Sequence, residues 1–198
     1  MMILWREKLA FLAVPKTGTT AIETVLAPHA AIAYMRPPMV KHMTLSRFNR
    51  FMRPYLDVAG LGDVQTFAVM REPVSWLGSW YRYRQRDGLV GSSKSTAGIS
   101  FDEFVQAYLM DDNRPDYAEV GAQARFLKPG KGPGISHLFR YDALSPLVTF
   151  LSEQLGQPVD LPQVNVSPSQ NLTLSSGIEA ALRRKYAADF ALYESLKD

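Results

Sequence analysis

The stretch LAFLAVPKTGTTAIETVL, residues 9–26, constrains the chain more than any other. Its apolar run at residues 8–14 is short and without helical period, so it reads as a buried strand. Pro15 stops that strand, and the apolar periodicity resuming at residues 21–26 opens a helix. A strand that enters a helix through a tight glycine-containing loop directs main-chain N–H groups at one point, which makes an anion cradle. Lys16 and the hydroxyls of Thr19 and Thr20 add charge and donors to it. The order of residues differs from the Walker loop, because Lys16 precedes Gly18 and no glycine lies upstream in the strand. A hydrolysable nucleoside triphosphate with magnesium is therefore disfavoured. Taken alone, the loop would also suit a turn that merely caps an ordinary helix.

The second strand–loop–helix unit makes the cradle reading stronger. Residues 66–70 read as a strand ending at Arg71-Glu72-Pro73, with a helix through about residue 86 and Pro73 in its first turn. Ligands of open α/β sheets gather at the carboxyl ends of strands, where Arg71 stands. Its guanidinium can fork onto a phosphate, and Ser79, two helical turns along, can supply a hydroxyl. Further along, residues 45–55 read as a helix with Arg47, Arg50 and Arg53 along one side. Residues 87–99 read as a mobile Gly/Ser-rich loop, and Ser100 with Glu103 forms a capping-box pattern. Residues 135–140 read as a strand and residues 141–155 as a helix entered at Asp142. Ser176 with Glu179 reads as the cap of one long helix to about Leu196. Strands alternating with helices predict an α/β fold with a mainly parallel sheet.

Composition narrows the chemistry. The 198 residues contain no cysteine, which excludes disulfides, thiolate nucleophiles and Cys-based metal sites, and the three histidines are not spaced as a metal pair. No metal site is expected. A chain of this length suits a single domain spanning residues 1–198, and no apolar stretch approaches the ~20 residues of a membrane span. The start of the chain lacks the pattern of a signal peptide, so a cytoplasmic protein is the expectation. Residues 1–100 carry 13 Lys/Arg against 6 Asp/Glu, whereas the remainder carries 9 against 13, so an anionic ligand belongs to the first half.

Together PKTGTT and REPVSWLGSWY resemble the two signature segments of sulfotransferases that use 3′-phosphoadenosine 5′-phosphosulfate (PAPS). The C-terminal FRYDAL, VNVS and LRRKYAADFALYESL are similar to the carbohydrate-type branch and its bacterial relatives. Trp76 stands where that family often has a second arginine. The resemblance implies a P-loop-like three-layer fold, a central and mainly parallel sheet flanked by helices. It also implies in-line transfer of a sulfuryl group from PAPS to an acceptor hydroxyl, a saccharide among the candidates, without metal or nucleic acid. By the same resemblance Lys16, Thr17, Gly18, Thr19 and Thr20 hold the 5′-phosphosulfate, Arg71 and Ser79 hold the 3′-phosphate, and Lys16 follows charge onto the leaving oxygen. His42, in KHMT between the two motifs, matches the position of a catalytic histidine in this branch. Glu23 and Glu72 remain alternative bases, and residues 164–167 with their neighbours are further candidate nucleotide contacts in this branch. His29 and His137 read as structural. The competing functions are a P-loop-type nucleotide kinase and a non-catalytic anion-binding module.

Overall fold

A computed structural model describes residues 1–162 and 172–196. The VNVS segment lies outside the described residues. In chain order the elements are β1 (Met2–Leu4), β2 (Leu9–Phe11), α1 (Thr19–Leu26), β3 (Ile32–Ala33), α2 (Pro38–Lys41) and α3 (Leu45–Arg47). A π-helical stretch, Phe48–Met52, leads into α4 (Arg53–Val58). There follow β4 (Gln65–Met70), α5 (Pro73–Arg84), α6 (Phe101–Tyr108), α7 (Gln123–Leu127), β5 (His137–Arg140), α8 (Ser145–Leu155), α9 (Ser176–Lys185) and α10 (Ala187–Glu194). Among the described residues, 1–71, 123–162 and 196 form one compact unit, and 72–122 with 172–195 form a second.

The first unit is α/β, built on one five-stranded sheet in the order β3-β1-β2-β4-β5. Its parallel half is β2, β4 and β5, with Phe11 opposite Phe67 and Val69 opposite Phe139. The sheet is mixed, however, and the expectation of a mainly parallel one is corrected. β1 pairs antiparallel with both β2 and β3. The cause is the charged turn Arg6-Glu7-Lys8, which folds Met2–Leu4 back as a hairpin, with Lys8 at φ 51 in the left-handed region. Alternate residues Met2, Leu4, Leu9, Phe11, Phe67 and Val69 pack against Ile22 and Leu26 of α1 and Leu147 and Leu151 of α8. The residues between them, Ile3, Ala10, Leu12, Ala68 and Met70, are also fully buried. Burial on both faces is why the strands read as continuous apolar runs instead of alternating ones.

α8 starts at Ser145, later than Asp142, whose carboxylate takes Arg140 at 3.1 Å instead of capping the helix. The 45–58 helical run holds the glycine turn at 128–134, where the Asn49 amide donates to the carbonyls of Pro129 and Pro133 at 2.9 Å each.

The second unit is helical. Glu72 caps α5, its two oxygens accepting the N–H groups of Val74 at 3.1 Å and Ser75 at 2.7 Å. The capping box of α6 is formed by Ser100 and Glu103 as the spacing predicts. The predicted single C-terminal helix is instead two, α9 and α10, broken at Tyr186 (φ −111, ψ 33). Tyr186 stacks on Tyr108 at 4.4 Å, and its hydroxyl lies 3.2 Å from an Arg114 nitrogen, contacts that outweigh helix continuity. Ser175, not Ser176, is the N-cap residue, and Glu179 pairs with Arg183 at 2.9 Å. The 87–99 segment is fastened rather than loose at its C-terminal end. There buried Thr96 donates to the Tyr81 carbonyl at 2.8 Å, and the Tyr81 hydroxyl donates to the Ile99 carbonyl at 2.7 Å.

Candidate functional site

The PKTGTT loop leaves the end of the β2 segment, where Leu12 N–H still bonds the Phe67 carbonyl at 2.9 Å. Two of its residues, Lys16 (φ 67) and Gly18 (φ 72), are left-handed. Left-handed residues in such a turn point successive N–H groups to one side, the geometry of an anion nest. α1 follows with Gly18 as its N-cap, no side-chain cap and no acidic residue in its first turn. No side chain of the cap or first turn thus offsets the positive end of the helix. The hydroxyls divide. Thr17 is buried and donates to the Val14 carbonyl at 2.9 Å, so its share in a cradle is its main chain, while Thr20 is exposed. Thr19 is buried at the first turn.

Gly18 is needed for more than its φ. A Cβ there would lie 3.0 Å from Cε2 of Tyr141, the residue after β5. Arg71, after β4, lies over the same ring, 4.4 Å from its centroid. The Arg71 main chain is clamped by fully buried Gln123, which accepts from its N–H at 2.9 Å and donates to its carbonyl at 2.7 Å. The ends of β2, β4 and β5 therefore bring Gly18, Tyr141 and Arg71 into one contact series. Tyr141 and Gln123 were not singled out by residue type. The signal for Tyr141 was its place directly after a parallel strand, whereas Gln123 carried none.

Gly18→Val tests this arrangement. A branched Cβ in the left-handed region costs about 1–2 kcal/mol, and it also pushes the ring that carries Arg71. A lower melting temperature with weakened anion binding is expected in a thermal-shift titration, and an unchanged affinity would contradict the packing.

His42 joins the same end of the sheet. α2 is short, and His42 is its C-cap, with Nδ1 2.7 Å from the Ala13 carbonyl oxygen. A carbonyl can only accept, so Nδ1 carries the proton and Nε2 is left as the basic nitrogen. Burial holds the His42 pKa below the ordinary histidine value, with the charge of Lys41 acting in the same direction. Lys41 in turn bonds Glu23 at 2.8 Å. The two glutamates weighed as bases are thus engaged, Glu23 with Lys41 and Glu72 with the α5 N-terminus. His137 lies 2.7 Å from Gln65 with its ring tilted against Phe150 at 4.6 Å, and His29 lies 3.0 Å from Gln157.

Ser79 belongs to the second unit, buried on α5. Trp76 packs into the core of that unit with Leu77 and Phe104. Arg84, the last residue of α5, is buried and donates to the carbonyls of Asp116 and Glu119.

Among the described residues, no helix is long and apolar enough to cross a membrane. Compared with family models, with curated proteins and with solved structures, the chain matches none.

Proposed function

We propose that the chain is a PAPS-dependent sulfotransferase with a P-loop-like site at the carboxyl ends of β2, β4 and β5. The observation that carries the reading is the 2.7 Å contact of His42 Nδ1 with the Ala13 carbonyl oxygen. Ala13 stands two residues before the cradle loop begins, so the histidine it orients is anchored at the strand end from which that loop leaves, with Nε2 as its basic nitrogen. In this reading His42 Nε2 takes the acceptor's proton as the acceptor oxygen bonds to sulfur. Lys16 and the main chain of residues 17–20 hold the 5′-phosphate oxygen that receives the electron pair of the breaking sulfur–oxygen bond. Arg71, fixed by Gln123 and Tyr141, supplies the charge for the 3′-phosphate. The part of Ser79 rests on the sequence resemblance alone.

The test is a thermal-shift titration with 3′-phosphoadenosine 5′-phosphate and no added metal. A ligand at about 100 times its Kd stabilises the native state by about 2.7 kcal/mol, or about 5–10 °C for a chain of this size. AMP, lacking the 3′-phosphate, is expected to do much less. Equal shifts for the two nucleotides, or a shift only with ATP and magnesium, would overturn the assignment. Steep loss of binding with salt and preference for polyanions would favour an anion-binding module.

A further inference from the structure

The helical run from Leu45 to Val58 divides its residues among three sides. Leu45, Phe48, Met52 and Leu56 are buried at helical spacing and face the interior of the first unit. Ser46 and Asn49 form a second side, which holds the 128–134 turn: Ser46 lies against Gly130, and Asn49 donates to the Pro129 and Pro133 carbonyls. Arg53 turns toward that side, donating to Asn49 at 3.1 Å and to the Val64 carbonyl at 2.9 Å, and so leaves the company of Arg47 and Arg50. The third side is exposed and consists of Arg47, Arg50, Phe51, Pro54, Tyr55 and Val58. Phe51, Tyr55 and Val58 are 57%, 60% and 91% exposed and follow one another at i, i+4 and i+7. Single apolar residues on a surface are ordinary, but a stripe of them along the outer side of a helix inverts the usual pattern.

Charge decides what such a stripe can meet. Arg47 and Arg50 stand on the same side as the stripe, Arg50 over the Phe51 ring at 5.0 Å, and among the described residues neither is in an ion pair. The turn along the second side adds Lys128 and Lys131, both exposed. Residues 24–56 and 120–141 contain no Asp or Glu, and Asp57, whose charge acts on Arg53, is the one acid of the helical run. The complement of this face is therefore anionic as well as apolar. Its shape is also restricted, because a helix occupied on two sides leaves a convex ridge that meets a plane better than it fills a groove. Val58, the most exposed of the three, is aliphatic and offers no ring on which a nucleic-acid base could stack. Aromatic and aliphatic side chains bordered by arginines suit a helix lying in a lipid interface. We propose that the 45–58 run docks the protein, lying flat, on an anionic phospholipid bilayer. Phe51, Tyr55 and Val58 enter at the headgroup level, while Arg47 and Arg50 meet lipid phosphates. The attachment is peripheral and does not depend on the sulfotransferase reading.

The test is flotation of the full chain with phosphatidylcholine vesicles that contain or lack phosphatidylserine. An arginine near an anionic membrane strengthens binding about fivefold, so the protein should partition at least tenfold more strongly onto the serine-containing vesicles. Added salt should weaken that binding. Arg47→Glu with Arg50→Glu, and separately Phe51→Ser with Tyr55→Ser and Val58→Ser, should each lower partition at least tenfold. All five positions are exposed, so the melting temperature is expected to stay near that of the parent. The chain has no cysteine, so Val58→Cys carries a single environment-sensitive fluorophore whose emission should move to the blue on anionic vesicles and not on neutral ones. A parent that stays in solution beside anionic vesicles, binding indifferent to both sets of substitutions, or a label at 58 that remains in water overturns the proposal. Self-association that the serine variant abolishes, without vesicle binding, overturns it in favour of a second copy of the chain. Retention of single-stranded RNA in place of vesicles overturns it in favour of nucleic acid.

Discussion

His42→Ala is expected to leave nucleotide binding nearly intact and to cut sulfuryl transfer by roughly 10²–10⁴-fold, the usual share of a general base. The imidazole is held through Nδ1 by the Ala13 carbonyl, and Nε2 is the nitrogen that can take a proton. His42→Asn should do no better, because an amide keeps the polarity without the basicity. The pH profile gives a second readout. Burial lowers the His42 pKa from its ordinary value, so the acid limb of the rate should lie below pH ~6.5. Stability follows the same shift with a definite sign. As pH falls through ~6.5 the unfolded chain takes up the proton first, so this group's contribution is complete above that pH and is lost below it. Retained activity in His42→Ala would place the base elsewhere, and loss of nucleotide binding would assign His42 to the cradle or the fold.

Lys16 separates strain from charge. It holds a left-handed φ of 67, a conformation that costs a side-chain-bearing residue on the order of 1 kcal/mol or more. Lys16→Gly removes that cost and the ammonium together. We expect a protein more stable by about 1 kcal/mol, melting about 2–4 °C higher, yet with turnover lowered by roughly 10²–10³-fold, as for loss of one group that stabilises developing charge. Lys16→Ala keeps the strain and should lose the same activity without the gain in stability. Product-nucleotide binding should fall much less than turnover in both, the mark of an interaction that strengthens in the transition state. A glycine variant as active as the parent would show that the lysine is there only for the turn.

The candidate site was legible wherever its structure is local. Pro15, Gly18 and the apolar runs around them specify a strand, a turn and a helix within about twenty residues, and the same holds for β4, Arg71 and α5. Legibility ended where partners are distant. Trp5 and Arg6-Glu7-Lys8 interrupt the first apolar run, and no local signal shows that Met2–Leu4 pairs on both sides. Nor does the chain between residues 176 and 196 contain a proline or an internal helix-breaking glycine at Tyr186. The break there comes from the stacking of Tyr186 on Tyr108, a residue 78 positions away.

Residue order therefore specifies the strand, the turn at Lys16–Gly18 and the helix after it, because a turn's hydrogen bonds, its left-handed positions and the helix start all close within one short segment. Tertiary packing settles the rest. It binds His42 to Ala13 across 29 residues and so selects the imidazole's tautomer, and it buries Glu23 against Lys41. It also sets Arg71 over Tyr141, the ring against which Gly18 packs. A side chain's acidity and orientation depend on burial and on neighbours from other strands, and those neighbours are brought together only when the sheet forms.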